Sequence, residues 1–234
     1  LRGSSPGFYP DQSFTKMLED QKIQPPIYVD TAWLYVGHVD ETISFVPADT
    51  PRGWKLVMND AVMAVEMFQN LASQGYGNAV LFENKYWDEG VSAEVTVNQV
   101  LNDDDVMGES YSSAAEVDEQ VAIIKAATGI TEDEIIRIPY LHWTVQGYSV
   151  AYQPGTVNGM LVNSKMFMPP KPHGPKVNGK DVMETQFENA FATVGMDVNW
   201  VEDWDLYHAL LGEVHCGSNA TREIPDAKWW ESGR

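Results

Sequence analysis

Helical and strand signals alternate along this chain, and that alternation excludes an all-helical or all-β fold more firmly than any other feature. Three stretches carry helix punctuation. Residues 59–73 open on Asn59 or Asp60, repeat Val65, Phe68 and Leu71 on one face, and stop before Gly75. Residues 114–128 follow a Ser113/Glu116 capping box and end at Gly129, with Val117, Val121 and Ile124 as the buried stripe. Residues 182–194 run from an Asp181/Glu184 start signal to Gly195, with Met183, Phe187, Ala190 and Val194 facing inward. Between them lie β-rich runs at 27–29, 43–46, 79–82, 135–138, 157–162 and 196–201. The expectation is α/β layering in which a strand-strand-helix-strand unit recurs about three times. Residues 102–105, Asn-Asp-Asp-Asp, read as a short acidic loop.

Charge narrows the partners. Against 34 acidic residues stand 15 Lys and Arg, a formal charge of -19. Such a surface repels nucleic acid and anionic membranes and draws in cationic substrates or divalent cations, although solubility alone also accounts for it. No apolar run approaches the ~18–20 residues of a membrane-spanning helix, so neither nucleic acid nor membrane is an expected partner. Leu1 reads as a processed or cut end rather than a leader. The triplet Asn219-Ala220-Thr221 is a glycan acceptor only in a secretory pathway. Localisation stays open, with secretion slightly preferred over the cytoplasm.

The chain has one cysteine, Cys216, which excludes an internal disulfide and a multi-thiolate metal site. A lone cysteine is most often a small buried hydrophobe. This one stands in Gly212-Glu213-Val214-His215-Cys216-Gly217-Ser218-Asn219, where glycines on both sides permit a tight path and close approach of a ligand. His215 adjoins it, but neighbours on a strand point to opposite faces, so His215 reads as structural rather than as the base. A second cluster is His38-Val39-Asp40. If extended, it places an imidazole that can move protons and a carboxylate that can grip a cation on one face. Alone, this pattern is more often a satisfied structural pair.

Taken together the motifs resemble those of the protein-arginine deiminases. Residues 33–48 (WLYVGHVDETISFVPA) look like the family's histidine-aspartate motif, and residues 170–175 (PKPHGP) followed by 177–179 (VNG) like its proline-rich loop. Residues 212–219 are similar to its cysteine motif, and Lys228-Trp229-Trp230 to its near-terminal tryptophan pair. The matches fall in family order and span most of the chain. The resemblance implies that residues 1–234 are the C-terminal part of a catalytic domain with the pentein fold. That fold is an α/β-propeller of five strand-strand-helix-strand modules, of which about three are present here. It also implies hydrolysis of protein or peptide arginine to citrulline and ammonia, calcium-dependent in vertebrate members. By motif position Cys216 attacks the guanidinium carbon and His38 shuttles protons. Asp40 binds the guanidinium, and Val36 lines the arginine channel.

Two departures follow. The family's other substrate carboxylate lies in a motif upstream of the histidine block that has no counterpart here. The expectation is therefore an N-terminal fragment of the same protein, held as a partner and carrying that aspartate. Calcium ligands, implied by the family alone, are expected mostly in the same missing portion, and the acidic residues 103–105 read as a solvated turn rather than a calcium cage. Leu210 and Leu211 replace the arginine and histidine that hold the substrate backbone in vertebrate relatives. Tyr207 and His208 match the family but read as structural. Alternatives are a deiminase of free or small guanidino compounds, and an inactive fragment or binding scaffold.

Overall fold

The computed structural model describes residues 2–4, 10–21, 25–221 and 223, so Lys228, Trp229 and Trp230 lie outside the described residues. Among the described residues it is a mixed α/β structure of small sheets and five α-helices: α1 (Gln12–Asp20), α2 (Ala61–Leu71), α3 (Val97–Leu101), α4 (Asp104–Thr128) and α5 (Val182–Ala192). No helix among the described residues is long and apolar enough to cross a membrane.

One topology recurs. Strand Ile43–Pro47 pairs antiparallel with Trp54–Asp60, which pairs parallel with Ile135–Pro139 after α2, α3 and α4. Strand Met160–Asn163 pairs antiparallel with Met166–Met168, which pairs parallel with Asp197–Val198 after α5. Arg2–Ser4 and Tyr28–Asp30 form a parallel pair around α1. A parallel pair needs a crossover to return the chain, and a helix supplies it in each case.

Trp54–Asp60 is the central strand of its sheet and is apolar on both faces, as a strand covered on both sides must be. Leu56 and Met58 pack with Val117, Val121 and Ile124 of α4. Val57 points the other way, into a cluster with Ile136, Ile138, Phe167, Phe187 and Phe191. That second cluster joins the two three-stranded sheets and α5. A third cluster gathers Val65 and Phe68 of α2 with Phe82 and Trp204.

The predicted helices 59–73 and 182–194 appear as α2 and α5, capped by Asp60 and Asp181 through bonds to the N–H groups of Met63 (2.8 Å) and of Met183 (2.8 Å) and Glu184 (3.1 Å). The helix expected at 114–128 begins ten residues earlier. Asp103 caps it, accepting from the N–H groups of Asp105 at 3.0 Å and Val106 at 3.1 Å, so residues 103–105 start a helix rather than form an acidic loop. Ser113, read as a cap, lies inside α4 and meets Ser149 at 2.9 Å. The front half of α4 turns Ser110 and Ser113 inward, toward His142 and Ser149, and so shows no apolar stripe.

Candidate active site

The turn containing His38 and Asp40 is anchored at both ends. Upstream, Tyr35 donates its N–H to the Ser149 carbonyl at 2.9 Å. Downstream, buried Thr42 donates its hydroxyl to Gln120 of α4 at 2.8 Å, and Gln120 in turn donates to the Asp30 carbonyl at 2.7 Å. Between these anchors the chain is not extended. Residues Val39–Glu41 form one turn of 3-10 helix with His38 as its N-cap. The cause is local: the His38 N–H donates to the Glu41 carboxylate at 2.6 Å, closing the turn. His38 and Asp40 therefore do not share a strand face. Burial, and then the nearby charges of Asp40 and Glu213, push the Glu41 carboxyl up to about 7.

Cys216 sits on a second turn. Its N-terminal side is tied by the His215 N–H to the Asn158 carbonyl at 3.1 Å, and its C-terminal side by the Gly217 N–H to the Glu213 carbonyl at 3.1 Å. Under it, Glu213 is buried and meets the Nδ1 of buried His208 at 2.9 Å. Burial, reinforced by mutual repulsion, raises the Asp203 carboxyl, and burial raises that of Glu213; the imidazole of His208 is held neutral by burial, its pKa lowered to about 4. His208 is thus a core histidine, as expected.

One amide joins the two turns. Asn158, itself buried, donates through Nδ2 to the Asp40 Oδ2 at 3.0 Å and to the Asp40 carbonyl at 3.1 Å. Its Oδ1 accepts from the Cys216 thiol at 3.5 Å. Because Nδ2 is committed to an acceptor-only carboxylate, the amide oxygen is the end that faces sulfur. That contact favours the protonated thiol. Lost solvent around the sulfur, then the charges of Asp40, Glu213 and Glu41, raise the Cys216 pKa further. At rest Cys216 is a thiol surrounded by carboxyl groups.

The structure therefore brings Cys216 and Asp40 together through Asn158. His38 stands exposed on the Asp40 turn, and among the described residues no hydrogen bond links its imidazole to Asp40 or Cys216. Val36 is exposed two residues before it. His215 departs from the strand geometry assumed for it: it lies in a turn, and its Nδ1 is 2.6 Å from Asp40 Oδ2. A cavity of about 340 Å³ opens beside this pair, walled by Phe45, Val157, Met160, Leu161 and Phe167. Sequence reasoning missed Asn158. Its only signal was a polar residue followed by glycine inside an apparent strand, a pattern that marks a break in the strand or a close approach. Gly159 is such an approach, since a Cβ there would stand 2.8 Å from the Pro169 Cα.

The proline-rich loop carries packing. The His173 carbonyl accepts from the Phe82 N–H at 2.9 Å, and Lys171 donates its N–H to the Val201 carbonyl at 2.8 Å. Nor do the acidic residues 103–105 fit a calcium ion, because Asp103 caps α4 and Asp105 accepts from the Thr144 N–H at 3.0 Å. Among the described residues no cluster of three or more His, Cys, Asp or Glu could hold a metal. Leu210 is 77% exposed beside the cysteine turn, and Leu211 takes a left-handed backbone, φ 65°.

The family model described as Protein-arginine deiminase (PAD) matches residues 1–231. The chain is 36% identical to protein-arginine deiminase type-3 of Homo sapiens over 230 residues, which is 98% of this chain and 34% of the relative. It is 35% identical to the type-4 protein of Mus musculus over 225 residues, 94% of this chain and 33% of the relative. It is 32% identical to the type-1 protein of Homo sapiens over 213 residues, 91% of this chain and 31% of the relative. The chain spans about a third of the length of the curated relatives it matches.

Proposed function

The chain belongs to the protein-arginine deiminase family, and on that premise we propose that it carries the nucleophile and one guanidinium-binding carboxylate of an enzyme that converts protein or peptide arginine to citrulline. The observation that supports this most is the single buried amide of Asn158, which holds the Asp40 carboxylate and the Cys216 thiol on one rigid support.

In this proposal Asp40 accepts two parallel N–H bonds from the planar guanidinium and sets its carbon over the sulfur. The arriving positive charge offsets the carboxylates that hold the thiol protonated, and the thiol passes its proton to His38 to become the thiolate. The thiolate lone pair forms a C–S bond to the guanidinium carbon. The tetrahedral species expels one nitrogen as ammonia, with His38 donating that proton. A water gives one proton to His38 and attacks the thiouronium carbon; the C–S bond breaks, the hydroxyl proton passes to the departing sulfur, and citrulline and the resting thiol are released. Val36 forms part of the channel for the arginine methylenes.

The second guanidinium-binding carboxylate, and any calcium ligands, belong in this reading to the portion by which the family's longer chains exceed this one. The two three-stranded sheets of identical topology are, in the same reading, modules of a pentein propeller. Citrulline formation by the intact protein on a blocked arginine ester, an arginine peptide and agmatine tests the proposal. Turnover of the first two, abolished in Cys216→Ser and Asp40→Asn, is the expected result. Turnover of agmatine alone would mean a small-guanidine deiminase, and full activity in Cys216→Ser would end the proposal.

A further inference from the structure

Asp40 is already occupied. Its Oδ2 takes the Asn158 Nδ2 at 3.0 Å and the His215 Nδ1 at 2.6 Å. A carboxylate oxygen has two in-plane lone-pair directions, and both on Oδ2 are used. A guanidinium that bonds both oxygens in a fork must displace one of these donors. Asn158 cannot yield cheaply: it is buried, its amide is bound at both ends, and its carbonyl anchors the cysteine turn. His215 can. Its side chain is 53% exposed, and its backbone N–H stays bonded to Asn158 wherever the ring goes.

We propose that His215 is a built-in competitor of the substrate, its imidazole holding the Asp40 carboxylate until an arginine guanidinium displaces it. The inference rests on the reading of Asp40 as the guanidinium carboxylate. It gives the site a selectivity device: a ligand offering one N–H can use Oδ1 alone and leaves the histidine in place, whereas a guanidinium that forks across both oxygens displaces it. An ammonium side chain such as lysine is a single point donor and is disfavoured.

Binding of Nα-benzoyl-L-argininamide, measured calorimetrically on the intact protein carrying Cys216→Ala to prevent turnover, tests this. Adding His215→Ala should tighten binding roughly two- to fivefold, the range expected for losing a half-exposed polar contact as competitor. Adding His215→Lys, which puts a donor there, should leave affinity at or below the parent's. An unchanged or weaker affinity in His215→Ala, including no measurable binding in either protein, would overturn the inference. Affinity retained in Asp40→Asn would instead refute the assignment of Asp40 itself.

Discussion

Asn158 gives the site its resting state. Its amide oxygen can accept from a thiol but only repel a thiolate, and the carboxyl groups of Asp40, Glu41 and Glu213 add to that bias. In the free protein, the pH midpoint for iodoacetamide alkylation of Cys216 should therefore lie above the ordinary thiol value of 9.0. Saturating benzoyl-argininamide should lower it, because a guanidinium on Asp40 places positive charge beside the sulfur. A midpoint well below 9.0 without ligand would contradict the geometry. At this scale the sequence was partly legible. Cys216 and Asp40 stand in motifs with flanking glycines or a neighbouring histidine, and the structure brings them together. Neither the Asn158 bridge nor the contact of His215 with Asp40 was legible. An amide that lies 118 residues from one of the turns it bridges and 58 from the other leaves no local pattern, and His215 was judged on strand geometry that the turn does not have.

Elements that begin on a carboxylate cap and end at glycine were readable, and the bounds of α2 and α5 fall within two residues of expectation. The early start of α4 and the central strand Trp54–Asp60 were not. The first hides because its inward residues are serines serving a polar network, and the second because it runs directly into the Asp60 cap without a turn. The tight segment Val157-Asn158-Gly159 links element and site. A methyl group at Gly159 would press on the Phe167 ring and on the Pro169 backbone at 2.8 Å. Gly159→Ala should cost about 1–3 kcal/mol of unfolding free energy as an overpacked site. It should also reduce citrulline formation by moving Asn158. Urea titration together with a rate measurement checks both, and a variant with parental stability and rate would show that this packing does not support the site.

Over the whole molecule, buried titratable groups set the pH range of stability. Glu41 and Asp181 are raised by burial to about 7 and about 6, and Asp203 and Glu213 are raised as well. Their contribution is full below the ordinary value of 4.5 for glutamate or 3.8 for aspartate and is lost as pH rises through the folded values. His142, His173 and His208 are lowered by burial to about 3, 4 and 4, so theirs is full above 6.5 and lost as pH falls. Between 4.5 and 6.5 the two sets oppose each other. Melting temperature should be nearly flat there and fall on both sides, with the alkaline fall softened in Glu213→Gln. A melting temperature still rising above pH 7 would contradict this.

In the proposed mechanism the Asp40 carboxylate and the resting thiol serve one covalent event at Cys216. Acid quenching of the intact protein during turnover of benzoyl-arginine ethyl ester, followed by peptide mass spectrometry, observes it directly. The expected result is a transient adduct on the Cys216 peptide with the mass of the substrate less ammonia, absent in Asp40→Asn. Citrulline accumulating while Cys216 stays unmodified at every time point, or an adduct on another residue, would contradict it.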